Sequence, residues 1–125
     1  MSEPAGARYD SVFRPDLFSG QTGIVTGGGS GIGRCIAHEL ASLSAHVILV
    51  GRKAEKLDAV AAEIAEDGGS AEICAFDIRE GEAVNEAVTR LADKHGKLDF
   101  LVNNAGGQFP AEVADISRKG WDAVI

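Results

Sequence analysis

The segment Val25-Thr26-Gly27-Gly28-Gly29-Ser30-Gly31-Ile32-Gly33 constrains this chain more than any other. Glycines at 27, 28, 29, 31 and 33 leave too few side chains for a regular element, so the segment must be a turn. Thr22 to Thr26 before it, centred on Ile24 and Val25, reads as a short strand. After it, Ile32, Ile36, Leu40 and Leu43 recur at steps of four, four and three, which predicts a helix with one apolar face. A glycine turn between a strand and a helix does one thing well. It lets the backbone take positive φ and come close to a pyrophosphate, whose charge the amide N–H groups of the helix start then receive. The plainer alternative is a flexible turn without a ligand. No Lys-Ser or Lys-Thr follows Gly33, so this is not a Walker-type phosphate loop.

The strand–helix unit then repeats. Val47, Ile48, Leu49 and Val50, within 46–50, form a continuous apolar run suited to a parallel strand covered on both faces. Leu57, Val60, Ala61 and Ile64 mark a helix stopped by Gly68 and Gly69. A third strand is expected over 71–76 with Asp77 closing it, and Val84, Ala87, Val88 and Leu91 mark the next helix. Residues 98–102 read as a fourth strand, and Val113, Ile116, Trp121 and Ile125 follow at roughly helical spacing. Short strands alternating with helices of ten to fifteen residues predict an α/β fold, a Rossmann-like three-layer αβα parallel sheet. With about four strands it corresponds to the first half of a doubly wound fold. Residues 1–20 are expected to be a leader and 21–125 the N-terminal half of a dinucleotide-binding domain. In the leader, Val12, Phe13, Leu17 and Phe18 are expected to dock on the domain or to face a partner subunit.

Charge and composition exclude several functions. Twelve Lys plus Arg against 19 Asp plus Glu give a net charge of -7, without the basic run that nucleic acid requires. No apolar stretch is long enough for a membrane-spanning helix, and the N-terminus lacks the pattern of a secretory signal. Cys35 and Cys74 are too few for a disulfide framework and form no closely spaced metal pair, so a cytoplasmic setting is expected. His38, His46 and His95 are scattered and show no metal-ligand spacing; no metal site is expected.

The candidate cofactor residues follow from position. Thr26, Gly27, Gly29, Ser30, Gly31, Ile32 and Gly33 form the turn, and Arg34 stands just beyond it. The second strand ends in Gly51-Arg52-Lys53, without the carboxylate that would accept from the ribose hydroxyls of NAD. A guanidinium in that place suits a 2′-phosphate, which favours NADP(H), with Arg34 adding charge. The alternative is that Arg52 and Lys53 only open a solvated helix. Asp77 and the Ile78 backbone are placed to meet adenine, and Asp77 has a second available role as the cap of the next helix.

Taken together, these residues resemble the short-chain dehydrogenase/reductase family. Thr26 to Gly33 is similar to its cofactor motif, and Asp77 to its adenine-contacting aspartate. Asn103-Asn104-Ala105-Gly106 is similar to the stretch that stabilises its central sheet and lines the cofactor cleft, which implies cofactor roles for Asn104, Ala105 and Gly106. Asp99 matches a recurring aspartate before that stretch, and Ser44 stands where the family usually has Gly. The segments Asn104-Ala105-Gly106-Gly107-Gln108-Phe109-Pro110 and 116–125, with Phe13-Arg14-Pro15-Asp16-Leu17-Phe18, resemble the branch of 2,4-dienoyl-CoA and peroxisomal trans-2-enoyl-CoA reductases. That branch reduces a carbon–carbon double bond of a fatty acyl-CoA with NADPH, which implies an acyl-CoA substrate and a homo-oligomeric parent, a tetramer. Phe109 is then expected at the cleft rim, while Trp121 reads as a core aromatic.

The family's catalytic Asn, Ser, Tyr and Lys fall beyond Ile125, so no catalytic residue is assigned here. Tyr9, the only Tyr, precedes the first strand and has no Lys three or four residues away. The expectation is a cofactor-binding half of a longer enzyme. Two alternatives stand beside it: an NADP-dependent carbonyl or alcohol dehydrogenase, and, for a chain complete at 125 residues, a non-catalytic nucleotide-binding or subunit-association module.

Overall fold

The computed structural model describes residues 9–106 and 113–124. Gly107 to Pro110 and Ile125, with the expected rim position of Phe109, lie outside the described residues. Four strands, β1 (Thr22–Thr26), β2 (His46–Gly51), β3 (Ser70–Ala75) and β4 (Phe100–Val102), form one parallel sheet in the order β3-β2-β1-β4. Helices α1 (Gly31–Ser42), α2 (Ala54–Glu66) and α3 (Gly81–His95) connect them, and a 3-10 turn (Val113–Asp115) precedes α4 (Arg118–Val124). The α/β three-layer arrangement expected from the alternation of elements is therefore present.

Strand parity divides the core in two. Val25, Val47 and Leu49 point to one face, where Ala37 and Ala41 of α1 and Leu57, Val60 and Ile64 of α2 cover them. Ile24, Ile48, Val50 and Cys74 point to the other, against Ala87 and Leu91 of α3. β2 is buried on both sides, which is why its apolar run is unbroken. Each fully buried Val, Leu or Ile contributes about 1.5–3 kcal/mol over its exposed state.

Several expectations need correction. The buried face of α1 is Gly33, Ala37 and Ala41, with Ile36 and Leu40 packed at its margin; Ile32 is 73% exposed. Periodicity picked out the large residues, whereas the helix lies close to the sheet through its small ones. Val88 of α3 is exposed, and so is Trp121, which is no core aromatic here. β3 spans 70–75 and not 71–76, leaving Asp77 beyond its end, and β4 is only three residues long. Of the four apolar leader residues, Phe18 packs on the core, its ring 6.3 Å from that of Phe100, while Val12, Phe13 and Leu17 are exposed.

Two helix ends show how the chain turns back. At α2, Gly69 N–H donates to Ile64 O (2.9 Å) and Gly68 N–H to Ala65 O (3.0 Å), with Gly68 at φ 86°. That pair of bonds is a Schellman stop. α1 ends in the same pattern, Ala45 N–H to Leu40 O and Ser44 N–H to Ala41 O, but the left-handed position is Ser44 at φ 73°. Its hydroxyl donates to Asp16 Oδ1 at 2.5 Å. Ser44→Gly is expected to raise stability by about 0.5 kcal/mol: relief of about 1–2 kcal/mol of left-handed strain, partly offset by the freer unfolded glycine. Thermal denaturation checks this, and a fall in Tm would mean that the Asp16 contact outweighs the strain.

Candidate functional site

Because β2 and β4 flank β1 on opposite sides, the strand order reverses at β1, and a crevice opens beyond the C-terminal ends of β1 and β4. Both sides of it are fastened by Thr26 and Asn104. The buried Thr26 hydroxyl accepts from Asn104 N–H and Ala105 N–H, each at 2.9 Å, and donates to Val102 O at 3.2 Å. Asn104 Nδ2 donates to Thr26 O (3.1 Å) and Gly27 O (3.3 Å). At the other end of the same strand pair, Asp99 Oδ2 accepts from Thr22 N–H (2.8 Å). That backbone bond is the main cause of the lowered pKa of Asp99. These contacts hold the short β4 in register at both ends.

The glycines of the turn do different jobs. Gly27 N–H and Gly28 N–H both donate to Val50 O (2.8 and 3.2 Å), so those two donors are spent on the fold. A Cβ at Gly33 would lie 2.1 Å from Gly27 O, and one at Gly29 would crowd Lys56 Cβ at 3.1 Å. Gly31 differs: it has φ 55°, and a Cβ there would have nothing within 4 Å. It opens α1, whose first turn carries no acidic residue and whose N-cap Ser30 makes no side-chain cap bond. The first-turn amides of α1 therefore keep their positive end exposed toward the crevice. Ile32 is exposed in that same turn, and a Cβ at Gly106 would meet nothing within 4 Å among the described residues.

The charged candidates are sorted by their partners. Arg34 is committed to α2: its Nε and Nη2 donate to Glu63 at 2.9 and 2.5 Å. The Arg34 hydrogen bond, seconded by His38, holds the Glu63 carboxyl at about 2 against an ordinary 4.5. A carboxylate depressed in this way stabilises the fold above pH 4.5 and loses that contribution as pH falls through about 2. Glu63→Gln is expected to flatten the acid limb of the stability–pH curve in that window. Melting curves across acid pH check it, and an unaltered acid limb would mean that solvent screens the pair.

Arg52, by contrast, has no carboxylate among the described residues within ion-pair distance, and neither does Lys53. Gly51 pairs with Ala75 across β2 and β3, so Arg52 and Asp77 both emerge at the C-terminal edge of the sheet. Asp77 does not cap α3, whose N-cap is Glu80. Its Oδ1 accepts Arg79 N–H (2.9 Å), and its Oδ2 accepts Arg79 Nη2 (2.9 Å). The Arg79 side chain is the main cause holding Asp77 at about 2, with Arg52 adding a weaker attraction. Arg79 did not stand out in the sequence: an Asp accepts from the backbone N–H two residues on whatever that residue is, and the Arg side chain adds the ion pair. Ile78 between them is exposed.

Tyr9 donates to Glu39 Oε2, stacks on His38 and is pushed up to about 12 chiefly by that Glu39 bond, so it remains a protonated phenol. The histidines are not scattered as their spacing implied. His38 joins Glu63 between α1 and α2, whereas His46 and His95 meet around Glu72 at the end of the sheet away from the crevice.

With this geometry described, relatives can be placed beside it. The short chain dehydrogenase family profile matches residues 21–125, and the chain belongs to that family. It is 41% identical over 113 residues to gluconate 5-dehydrogenase of Gluconobacter oxydans, covering 89% of this chain and 44% of that protein. It is 36% identical over 116 residues to a peroxisomal 2,4-dienoyl-CoA reductase of Arabidopsis thaliana, covering 93% and 39%. Among solved structures, a citronellol catabolism dehydrogenase of Pseudomonas aeruginosa is 62% identical with a TM-score of 0.84, over 93% of this chain and 47% of that one. A metagenomic short-chain oxidoreductase in complex with NADP is 44% identical with a TM-score of 0.78, over 85% and 48%. The chain thus spans under half the length of each of these relatives. No helix among the described residues is long and apolar enough to cross a membrane.

Proposed function

We propose that this chain supplies the NADP(H)-binding half of an oxidoreductase. The observation that carries the reading is the open Gly31 at the bare N-terminus of α1, facing the β1–β4 crevice, with Arg52 unpaired among described carboxylates at the edge of β2. These residues fit the group: the space a Cβ at Gly31 would take is free for a pyrophosphate, and the first-turn amides complement its charge. Arg52 takes the 2′-phosphate and selects NADP(H) over NAD(H), while Arg34 contributes through Glu63 to holding α1 against α2. Thr26 and Asn104 hold the crevice walls, with Ala105 and Gly106 lining it beside Asn104; Asp77 and Ile78 meet adenine, for which Asp77 must share its carboxylate with Arg79. When bound, the nicotinamide cofactor supplies or accepts a hydride. The relative captured with NADP supports this choice.

For the reaction, we take reduction of a carbon–carbon double bond in an enoyl-CoA or dienoyl-CoA, in a cytoplasmic homo-oligomer. Its support is the 2,4-dienoyl-CoA reductase relative together with the residues that resemble that branch. A second reading, hydride exchange between an alcohol and a carbonyl, is favoured by the 62% identity to a citronellol catabolism dehydrogenase. The full gene-encoded protein decides between them. NADPH oxidation with dienoyl-CoA or trans-2-enoyl-CoA, and none with alcohols and NADP+, is the expected result; activity on alcohols alone would replace the first reading with the second.

A further inference from the structure

Away from the crevice, three side chains far apart in sequence converge. His46 opens β2, Glu72 lies in β3 and His95 closes α3. The register pairs His46 with Ser70 and Ile48 with Glu72, so His46 and Glu72 share the sheet face that α3 covers. His46 Nε2 lies 2.7 Å and His95 Nε2 2.5 Å from the same oxygen, Glu72 Oε1, and the two imidazole centroids are 5.1 Å apart. An ordinary surface ion pair needs one partner, whereas here two rings crowd a single carboxylate oxygen.

We propose that His46, Glu72 and His95 bind a divalent transition-metal ion of the zinc class, with a fourth position open to solvent. Their ligand atoms all lie within 4.8 Å of one another. Two imidazoles and a carboxylate form a donor set that Zn2+ takes readily. Metal bonds of about 2.0–2.2 Å set tetrahedral ligand atoms about 3.3–3.5 Å apart, so each Nε2 needs to withdraw from Oε1 by less than about 1 Å.

The surroundings fit that role. His46 Nδ1 lies 2.5 Å from Ser70 Oγ, and Lys94 Nζ donates to Glu72 Oε2 at 2.9 Å. His46 and Glu72 are thus held by their far atoms, leaving His46 Nε2 and Glu72 Oε1 to face the ion beside His95 Nε2, as outer-shell partners do in metal sites. The C-terminal end of α3, on which His95 sits, presents its negative pole there, and the chain as a whole is acidic at -7. Lys94 is the one Lys or Arg among the described residues paired with the cluster, and it occupies the carboxylate oxygen that the ion does not use. The side chains of His46, Glu72 and His95 are 26%, 20% and 17% exposed, shielded yet within reach of solvent. An ion there clips the end of α3 to the starts of β2 and β3, at the pole of the sheet opposite the crevice, and so acts on stability.

The test uses the full gene-encoded protein with any affinity tag removed, and Zn2+ alone as the probe. Calorimetry is expected to show one Zn2+ per chain, and Tm to rise by several degrees. His46→Gln and His95→Gln should each weaken binding at least about tenfold, with Cys35→Ser unchanged. No uptake at about 1 mM Zn2+, or equal uptake by His95→Gln, would overturn the site. Should a variant fail to fold, the Co2+ spectrum of the unaltered protein decides. Nitrogen and oxygen ligation supports the site, and a thiolate charge-transfer band assigns the ion to a cysteine and overturns it.

Discussion

Replacing Gly33 with Ala is expected to cost about 2–4 kcal/mol of stability and to abolish nucleotide binding with it. The added Cβ would stand 2.1 Å from Gly27 O and 2.5 Å from Asn104 Nδ2. The first of these is backbone, and the second belongs to the side chain that fastens β4 to the turn. Neither can move without opening the crevice. Gly31→Val, two residues earlier, should behave in the opposite way. Its Cβ meets no protein atom, so the fold loses only the strain of a branched residue at φ 55°, about 1–2 kcal/mol. The lost contact falls on the pyrophosphate path, and NADPH affinity should drop at least about a hundredfold. Denaturation and calorimetry on both variants separate the two roles. A Gly33→Ala protein of normal Tm would contradict the close approach of α1 to the turn, and unchanged NADPH affinity in Gly31→Val would remove the phosphate assignment.

Arg52→Asp should invert cofactor preference. The side chain emerges at the edge of β2 with no carboxylate among the described residues within ion-pair distance, and it gives Asp77 only a weak attraction, so its replacement breaks no ion pair there and lowers Tm only slightly. What changes is the partner offered to a 2′-phosphate. One charge-assisted bidentate bond is lost and a repulsion takes its place, worth at least about 2–3 kcal/mol, or about a hundredfold in the NADPH-to-NADH ratio. NADH, lacking that phosphate, should bind as well or better, since an aspartate can accept from the ribose hydroxyls. Equal ratios in the variant and the unaltered protein would place Arg52 outside the phosphate site.

The order of elements was legible because a parallel sheet covered on both faces needs unbroken apolar strands, and 47–50 supplies one. Side-chain size misled where packing distance decides. Ile32 looked like core and is exposed, because α1 approaches the sheet through Gly33, Ala37 and Ala41. At the site, the turn residues were visible from spacing alone, yet the division of labour among the glycines was not. Gly27 and Gly33 crowd the Asn104 side chain, about seventy residues further along the chain, and Gly29 crowds Lys56 of α2, whereas Gly31 meets open space. Arg34 looked like a phosphate ligand because charge can be read from sequence, whereas its partner Glu63 comes from another helix. The same holds for His46, Glu72 and His95: strand register, not sequence spacing, brings them together.

The most direct test of the central claim is a calorimetric titration of the full gene-encoded protein with NADPH and, separately, with NADH. The account predicts one NADPH per chain, bound at least about tenfold more tightly than NADH, the scale of one charge-assisted contact to the 2′-phosphate. Equal or tighter binding of NADH, or no binding of either, would contradict it.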